Sequence, residues 1–388
     1  MLSLLNKARK SLGLLLAVVT VLALAACGTP APSGGPTVPS GKAVPVALLV
    51  PAGSGQAGDD LLARSIQNSV QMAIADMPGV KIDLRVYNTA ADPATAGAMA
   101  SRAVDEGAVV ILGPVYAQEA NAAGLAVASR GVNVLSFSNN VDIAGGNVFV
   151  LGQTFDNTAT RLASYAAGHG VSQVFVLHDQ TAAGQIGAAA IQRAVAASGG
   201  VVSGTASYEF SQNGIVQAIS GIASQINSSG AQGVFLTADT AGALPFVSQL
   251  LKDNGVDPVV TRFIGLTRWD IPAATLALPG IQGGWFALPD PAIMDQFGAR
   301  YLAAYGEPPH PIASIAYDGM AAIGALAKSG QSPSIDALTQ GAGFAGVTGA
   351  FRLNTDGTNE RALSVAQVVN GQVSVIDAAP RSFTGAGF

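Results

Sequence analysis

The 388-residue chain has one cysteine, Cys27, so it can form no internal disulfide. Charge is also scarce: Asp, Glu, Lys and Arg make up 11% of the residues, against roughly 25% in ordinary soluble proteins. The three histidines, His169, His178 and His310, are isolated from one another and from Cys27. Their spacing indicates neither a metal cluster nor a catalytic triad. No H-E-x-x-H, G-x-S-x-G or G-x-x-x-x-G-K-[ST] occurs, so no metal, nucleophile or phosphate-loop motif is present. Long apolar runs are missing beyond the N-terminus. The stretch from about Leu12 to Ala26 falls short of the roughly 20 residues of a bilayer span, and after residue 43 the apolar runs are short and broken by Gly, Pro, Asn and Asp. A bundle of membrane helices is thereby excluded, although 49% of the residues are hydrophobic and the mean hydropathy is +0.41. The formal charge of −5 includes three leader cations and repels phosphate backbones, which argues against a nucleic-acid partner.

What is there begins with an export signal. Residues 1–10 carry Lys7, Arg9 and Lys10, Ser11 to Leu24 is apolar, and Leu24-Ala25-Ala26-Cys27 supplies a small-residue cleavage site, so residues 1–26 read as a signal peptide. The ending resembles the lipobox of bacterial lipoproteins. That resemblance implies an acylated Cys27, and Gly28 after it favours the outer membrane over the inner. Residues 27–43 then form a Pro/Gly-rich tether, with Pro at 30, 32, 36 and 39, which if extended reaches roughly 40 Å.

From Val44 onward strands and helices alternate. Val44 to Pro51, Lys81 to Tyr87, Ala108 to Leu112 and Asn133 to Ser136 read as strands. A helix with Leu62, Ile66, Ser69, Ala73 and Met77 on one face, a second over Ala96 to Val104 and a third from about Ala117 to Ser129 lie between them. A second series runs from Thr158 to Asp253 and continues through strands at Val259 to Ile264 and Gly283 to Ala287. Helices at Ile293 to Tyr305 and Pro311 to Ala327 follow, then a β-rich tail at Phe344 to Leu353, Leu363 to Val369 and Gln372 to Ile376. The pattern predicts an α/β protein with two doubly wound parallel-sheet lobes. The expected partition is 44–151 plus 291–342 for the first lobe and 153–289 plus 343–388 for the second.

Gly53-Ser54-Gly55-Gln56-Ala57-Gly58 fits G-x-G-x-x-G between a strand and a helix, yet the next strand ends Tyr87-Asn88-Thr89 with no acid for a ribose hydroxyl. No dinucleotide, other cofactor or metal is expected, and no catalytic residue. Ligands of wound sheets bind beyond the carboxyl ends of the strands. The expected site therefore comprises Ser54, Gln56, Tyr116, Ala117, Ser138 and Asn139 from the first lobe, and Asp179, Thr181 and Asp239 from the second. The Thr267 to Trp269 loop is a further candidate, with Trp269 and Trp285 equally suited to core or platform.

With these loops placed, the chain resembles the type I periplasmic binding proteins of the leucine-binding group over residues 44 to about 370. The resemblance rests on VALLVPAGSGQA, Tyr87 to Pro93, Gly107 to Val115, Ala316-Tyr317-Asp318 and Gly346 to Leu353. It implies two lobes joined by three crossovers, placed near Gly152, Pro289 and Ala342. Amino-acid binders of the family carry a Ser, a Ser/Ala-Thr pair and a Tyr where this chain has Ala117, Ser138-Asn139 and Ala183. The run Val134 to Asn140, the run Ala144 to Gly152 and the lipobox resemble the lipoprotein branch called penicillin-binding protein activators. The expectation is therefore a non-enzymatic, periplasmic, lipid-anchored envelope protein that contacts a peptidoglycan synthase or wall material. The alternative is the substrate-binding protein of an ABC importer, with an amino acid or other small polar ligand and a permease as partners.

Overall fold

The computed structural model describes residues 35–39 and 41–383; the signal peptide and Cys27 lie outside the described residues. The first lobe is a five-stranded parallel sheet in the order β2-β1-β3-β4-β5, built from β1 (Val44–Val50), β2 (Ile82–Asn88), β3 (Val110–Leu112), β4 (Asn133–Ser136) and β5 (Val148–Val150). Helices α1 (Ala57–Ala75), α2 (Pro93–Asp105) and α3 (Ala117–Val127) connect its strands. The helix starts follow local chemistry. The Asp92 carboxylate accepts from the Thr95 amide at 2.7 Å, with Pro93 in the first turn where no amide is needed. The central strands are apolar on both faces, as a sheet covered by helices on both sides requires: Val46, Leu48 and Val50 pack in one core, Ala47 and Leu49 in the other.

The chain leaves this lobe after β5 and builds α4 (Phe155–Gly168), β6 (Gln173–Asp179), α5 (Ala182–Ala197), β7 (Val201–Tyr208), α6 (Gln212–Ser228), β8 (Gly233–Leu236), α7 (Leu244–Asp253), β9 (Arg262–Gly265) and β10 (Trp285–Leu288). After Pro289 it returns as α8 (Pro291–Tyr305) and α9 (Ala313–Lys328), which pack on α1. The Ser69 hydroxyl donates to the Ala313 carbonyl at 2.6 Å and the Asn68 amide to the Tyr301 hydroxyl at 3.2 Å. The short α10 (Ile335–Leu338) precedes a three-stranded antiparallel sheet of β11 (Phe344–Gly346), β12 (Gly349–Leu353) and β13 (Asn359–Arg361). The chain ends in β14 (Ser364–Val369) and β15 (Gln372–Asp377), which add antiparallel strands to the second lobe in the order β15-β14-β10-β9-β8-β6-β7. Among the described residues no helix is long and apolar enough to cross a membrane.

Two boundaries differ from expectation. The β-rich stretch from Phe344 to Leu353, expected in the second lobe, is a hairpin whose Phe344, Phe351 and Leu353 pack in the first lobe's core, so that lobe keeps the chain beyond residue 342. The third crossover is β13 and its flanks, not Ala342. Its anchor is Arg361, whose guanidinium reaches the Asp318 carboxylate at 2.9 Å, the Thr348 hydroxyl at 2.6 Å and, through Nε, the Leu151 carbonyl at 2.9 Å. Arg361 and Asp318 are both buried. Thus α9, the β11–β12 turn, the end of β5 and the last crossover meet on one ion pair. Residues 35–39 of the expected free tether are also docked: Val38 packs against the first lobe's core.

Candidate functional site

Between the lobes lies a cavity of about 760 Å³. The first lobe supplies Tyr116, Ala117, Phe137, Ser138, Asn139 and, ahead of and within α9, His310, Ile312 and Ile315. Met294, Asp295 and Phe297 come from α8, Arg268 and Ile271 from the second lobe, and Gly152, Pro289 and Arg361 from the crossovers.

The residues expected at the site divide here. Tyr116, Ala117, Ser138 and Asn139 do line the cavity; Ser54, Gln56, Asp179, Thr181 and Asp239 do not. The reason is local hydrogen bonding. The Ser54 hydroxyl donates to Asp59 at 2.7 Å and the Gly53 amide to Asp60 at 3.1 Å, so the N-terminal turn of α1 is met by its own carboxylates, which would repel a phosphate. Gln56 precedes α1 and faces solvent. Asp179 accepts the Thr181 amide at 2.9 Å and the Thr181 hydroxyl, while Thr181 accepts from Gly184 to cap α5, so both side chains are consumed in starting a helix. Asp239 is exposed, with its carbonyl bonded to the Leu244 amide.

Tyr116 donates to Asp59, and this bond pushes its hydroxyl up to about 12, so it stays protonated. Ser138 is held in its loop: its amide donates to Ser136 Oγ and its hydroxyl accepts the Asn140 amide, both at 3.1 Å. The first crossover passes directly behind this loop. A Cβ on Gly152 would meet the Ser138 carbonyl at 2.6 Å, so only glycine fits. His310 Nδ1 accepts the Ile312 amide at 3.3 Å, and burial lowers its pKa, so the ring is neutral with Nε2–H available to donate.

Arg268 brings a cation that the sequence reading placed in a candidate loop without singling it out. Its Nε and one terminal nitrogen grip Asp270, at 2.9 Å through Nε, leaving the other edge of the guanidinium without a protein partner among the described residues. The loop's pedestal is Trp269, which is fully buried and therefore core rather than platform. A Cβ on Gly265 would approach the Trp269 ring to 2.3 Å, closer than any real contact. Gly265→Ala should therefore displace the indole and destabilise the fold by about 1–3 kcal/mol, seen as a lower denaturation midpoint with altered near-ultraviolet dichroism. An unchanged midpoint would show that the indole is not tightly packed.

A family model described as periplasmic binding protein matches residues 43–372. No curated protein matches the chain. Solved structures share the fold at low identity. A protein from Rhodospirillum rubrum assigned to a branched-chain amino acid ABC transporter is 21% identical, with TM-score 0.73 over 86% of this chain and 100% of that one. A substrate-binding protein from Desulfitobacterium hafniense in complex with Leu is 18% identical, with TM-score 0.63 over 86% and 100%. A solute-binding protein from Rhodopseudomonas palustris in complex with 3,4-dihydroxybenzoic acid is 20% identical, with TM-score 0.57 over 87% and 98%.

Proposed function

Because the chain belongs to the periplasmic binding protein family, we propose that it is the exported receptor of an ABC importer and that its cleft takes a small carboxylate with an apolar body. The observation that carries this reading is the cavity itself: largely apolar walls at Phe137, Phe297, Ile312 and Ile315, with one free guanidinium edge arriving from the opposite lobe at Arg268. A buried carboxylate needs such a partner, because a charge left unpaired costs several kcal/mol. Ser138, Asn139 and the His310 Nε2–H supply further donors from the first lobe.

A free α-amino acid is less well served. Its ammonium needs an acceptor, and of the nearby carboxylates Asp270 is taken by Arg268 while Asp295 lies at the exposed rim. Isothermal titration should show leucine binding no tighter than about 100 μM, roughly −5.5 kcal/mol, and benzoate binding more tightly than leucine. A micromolar constant for leucine with none for benzoate would replace the proposed ligand class by amino acids.

The likeness to penicillin-binding protein activators supports a second reading, contact with a peptidoglycan synthase or wall material. The observation in its favour is an exposed apolar rim on the second lobe, where Phe210, Phe246 and Ile271 follow the carboxyl ends of β7, β8 and β9. It ranks second because a rim explains neither the cavity nor Arg268.

The family is periplasmic. Within that compartment we propose that Cys27 is acylated and holds the protein at a membrane, more in keeping with the outer one. Cys27→Ser should move the protein from the membrane pellet to the soluble fraction. Continued pelleting would refute acyl anchoring.

A further inference from the structure

The chain is fastened to the first lobe before its first strand begins. A Cβ on Gly35 would lie 2.2 Å from the Gly131 carbonyl oxygen, so the two backbones are in direct contact. The Val38 amide donates to the Ser332 hydroxyl at 2.8 Å, and the Val38 side chain packs on the first lobe's core. These three contacts are independent of one another.

They also fall on one pole of the lobe. Gly131 lies just ahead of β4, at the amino end of that strand, and the Asn133 side chain ties the same end to the Pro333 carbonyl at 2.9 Å. Helix α9 gives the distance to the cleft. Ser314 and Ile315 in its first turn line the cavity, whereas its last residue, Lys328, leads to Ser332. Its 16 residues at 1.5 Å each separate the two ends by about 24 Å.

Strand β1 runs parallel to β3 and β4, so Val44 already begins at this pole. We propose that residues 35–39 are a strap that pins the N-terminal segment along the Gly131–Ser332 edge of that pole, opposite the cleft, and shortens its free reach. A bilayer holding Cys27 then faces that pole, and the cleft opens away from it. Fully extended, the path from Cys27 to Gly35 spans at most about 28 Å, against about 60 Å to Val44 if the strap were free, so the anchored lobe stays close to its membrane. A partner that engages the cleft approaches from the far side. The bilayer consequence rests on the reading of Cys27 as the anchor; the exit pole rests on where β1 begins, and the short reach rests on the strap.

A nitroxide on Cys27, the chain's single thiol, tests the strap in the unacylated chain that starts at that residue. Amide signals of residues 328–340 and 128–133 should be broadened, and those of 53–56 and 138–140 at the cleft end should not. Val38→Asp, which sets a charge against the core, should free the segment back to Val44 and reduce the broadening at 128–133 and 328–340 severalfold; the milder Val38→Ser should reduce it less, without changing the thermal midpoint. Broadening at the cleft end equal to that at the pole, or broadening at 128–133 and 328–340 undiminished by Val38→Asp in a folded chain, would overturn the strap. Membrane pelleting of the acylated protein reports separately on the anchor, so failure of one is distinguishable from failure of the other.

Discussion

Arg361→Met should cost the fold about 3–5 kcal/mol in denaturant unfolding, the penalty for stranding a buried charge whose partner has been removed. The charge is that of Asp318, which is fully buried and otherwise holds only the Thr348 amide at 3.3 Å and the Thr348 hydroxyl. Burial pushes the Asp318 carboxyl up, and the Arg361 guanidinium opposes that push. Without Arg361 the carboxyl rises further. A carboxyl raised in the folded state contributes stability at low pH that is lost as pH rises through its folded value. The variant's deficit should therefore be smaller near pH 4 than at pH 7. Pairing Arg361→Met with Asp318→Leu should recover most of the loss, because an apolar pair has no charge to strand. A loss below about 1 kcal/mol, the range of exposed pairs, would show that this ion pair does not hold the crossovers together.

The second large effect concerns the cleft. Arg268→Ala should weaken benzoate binding by about 2–5 kcal/mol, the cost of removing one partner from a desolvated charge pair, which is roughly a thirtyfold to several-thousandfold rise in Kd. Arg268→Lys should recover only part of this, since an ammonium lacks the planar fork that grips Asp270 and a ligand carboxylate at once. Thermal stability should fall little in either variant, because the Arg268–Asp270 pair lies within one loop and the fold's anchor there is Trp269. Equal affinity in Arg268→Ala and the parent would remove the guanidinium from the site.

The alternation of strands and helices was legible because the central strands are short apolar runs and the helices between them repeat apolar residues on one face, with a cap readable at Asp92-Pro93. The three-residue strands β5 and β13 carry no periodicity and were not legible; β3 is as short but sits in the longer apolar run Ala108 to Leu112. The tail from Phe344 to Leu353 was legible as β but its hairpin was not: the turn at Val347-Thr348 is set by a bond to Asp318, 30 residues away in sequence, which no local pattern displays. At the site, the strand-end rule pointed to two first-lobe loops that line the cavity, at Tyr116-Ala117 and Ser138-Asn139, and to the Ser54–Gln56 loop, which does not. It could not tell that Asp179 and Thr181 spend their polar atoms on a helix cap, or that Arg268 projects into the cavity because the neighbouring Trp269 points into the core. His310 was missed because it precedes a helix, and the cleft takes its residues from there as well as from strand ends.

The claim that the cleft holds a small organic acid is most directly tested by native mass spectrometry of the protein purified from its own periplasm without unfolding. The account predicts a population heavier by the mass of one small carboxylate, released on unfolding and absent from Arg268→Ala prepared in the same way. A parent protein that carries only a ligand without an acidic group, or an adduct retained undiminished in Arg268→Ala, would contradict it.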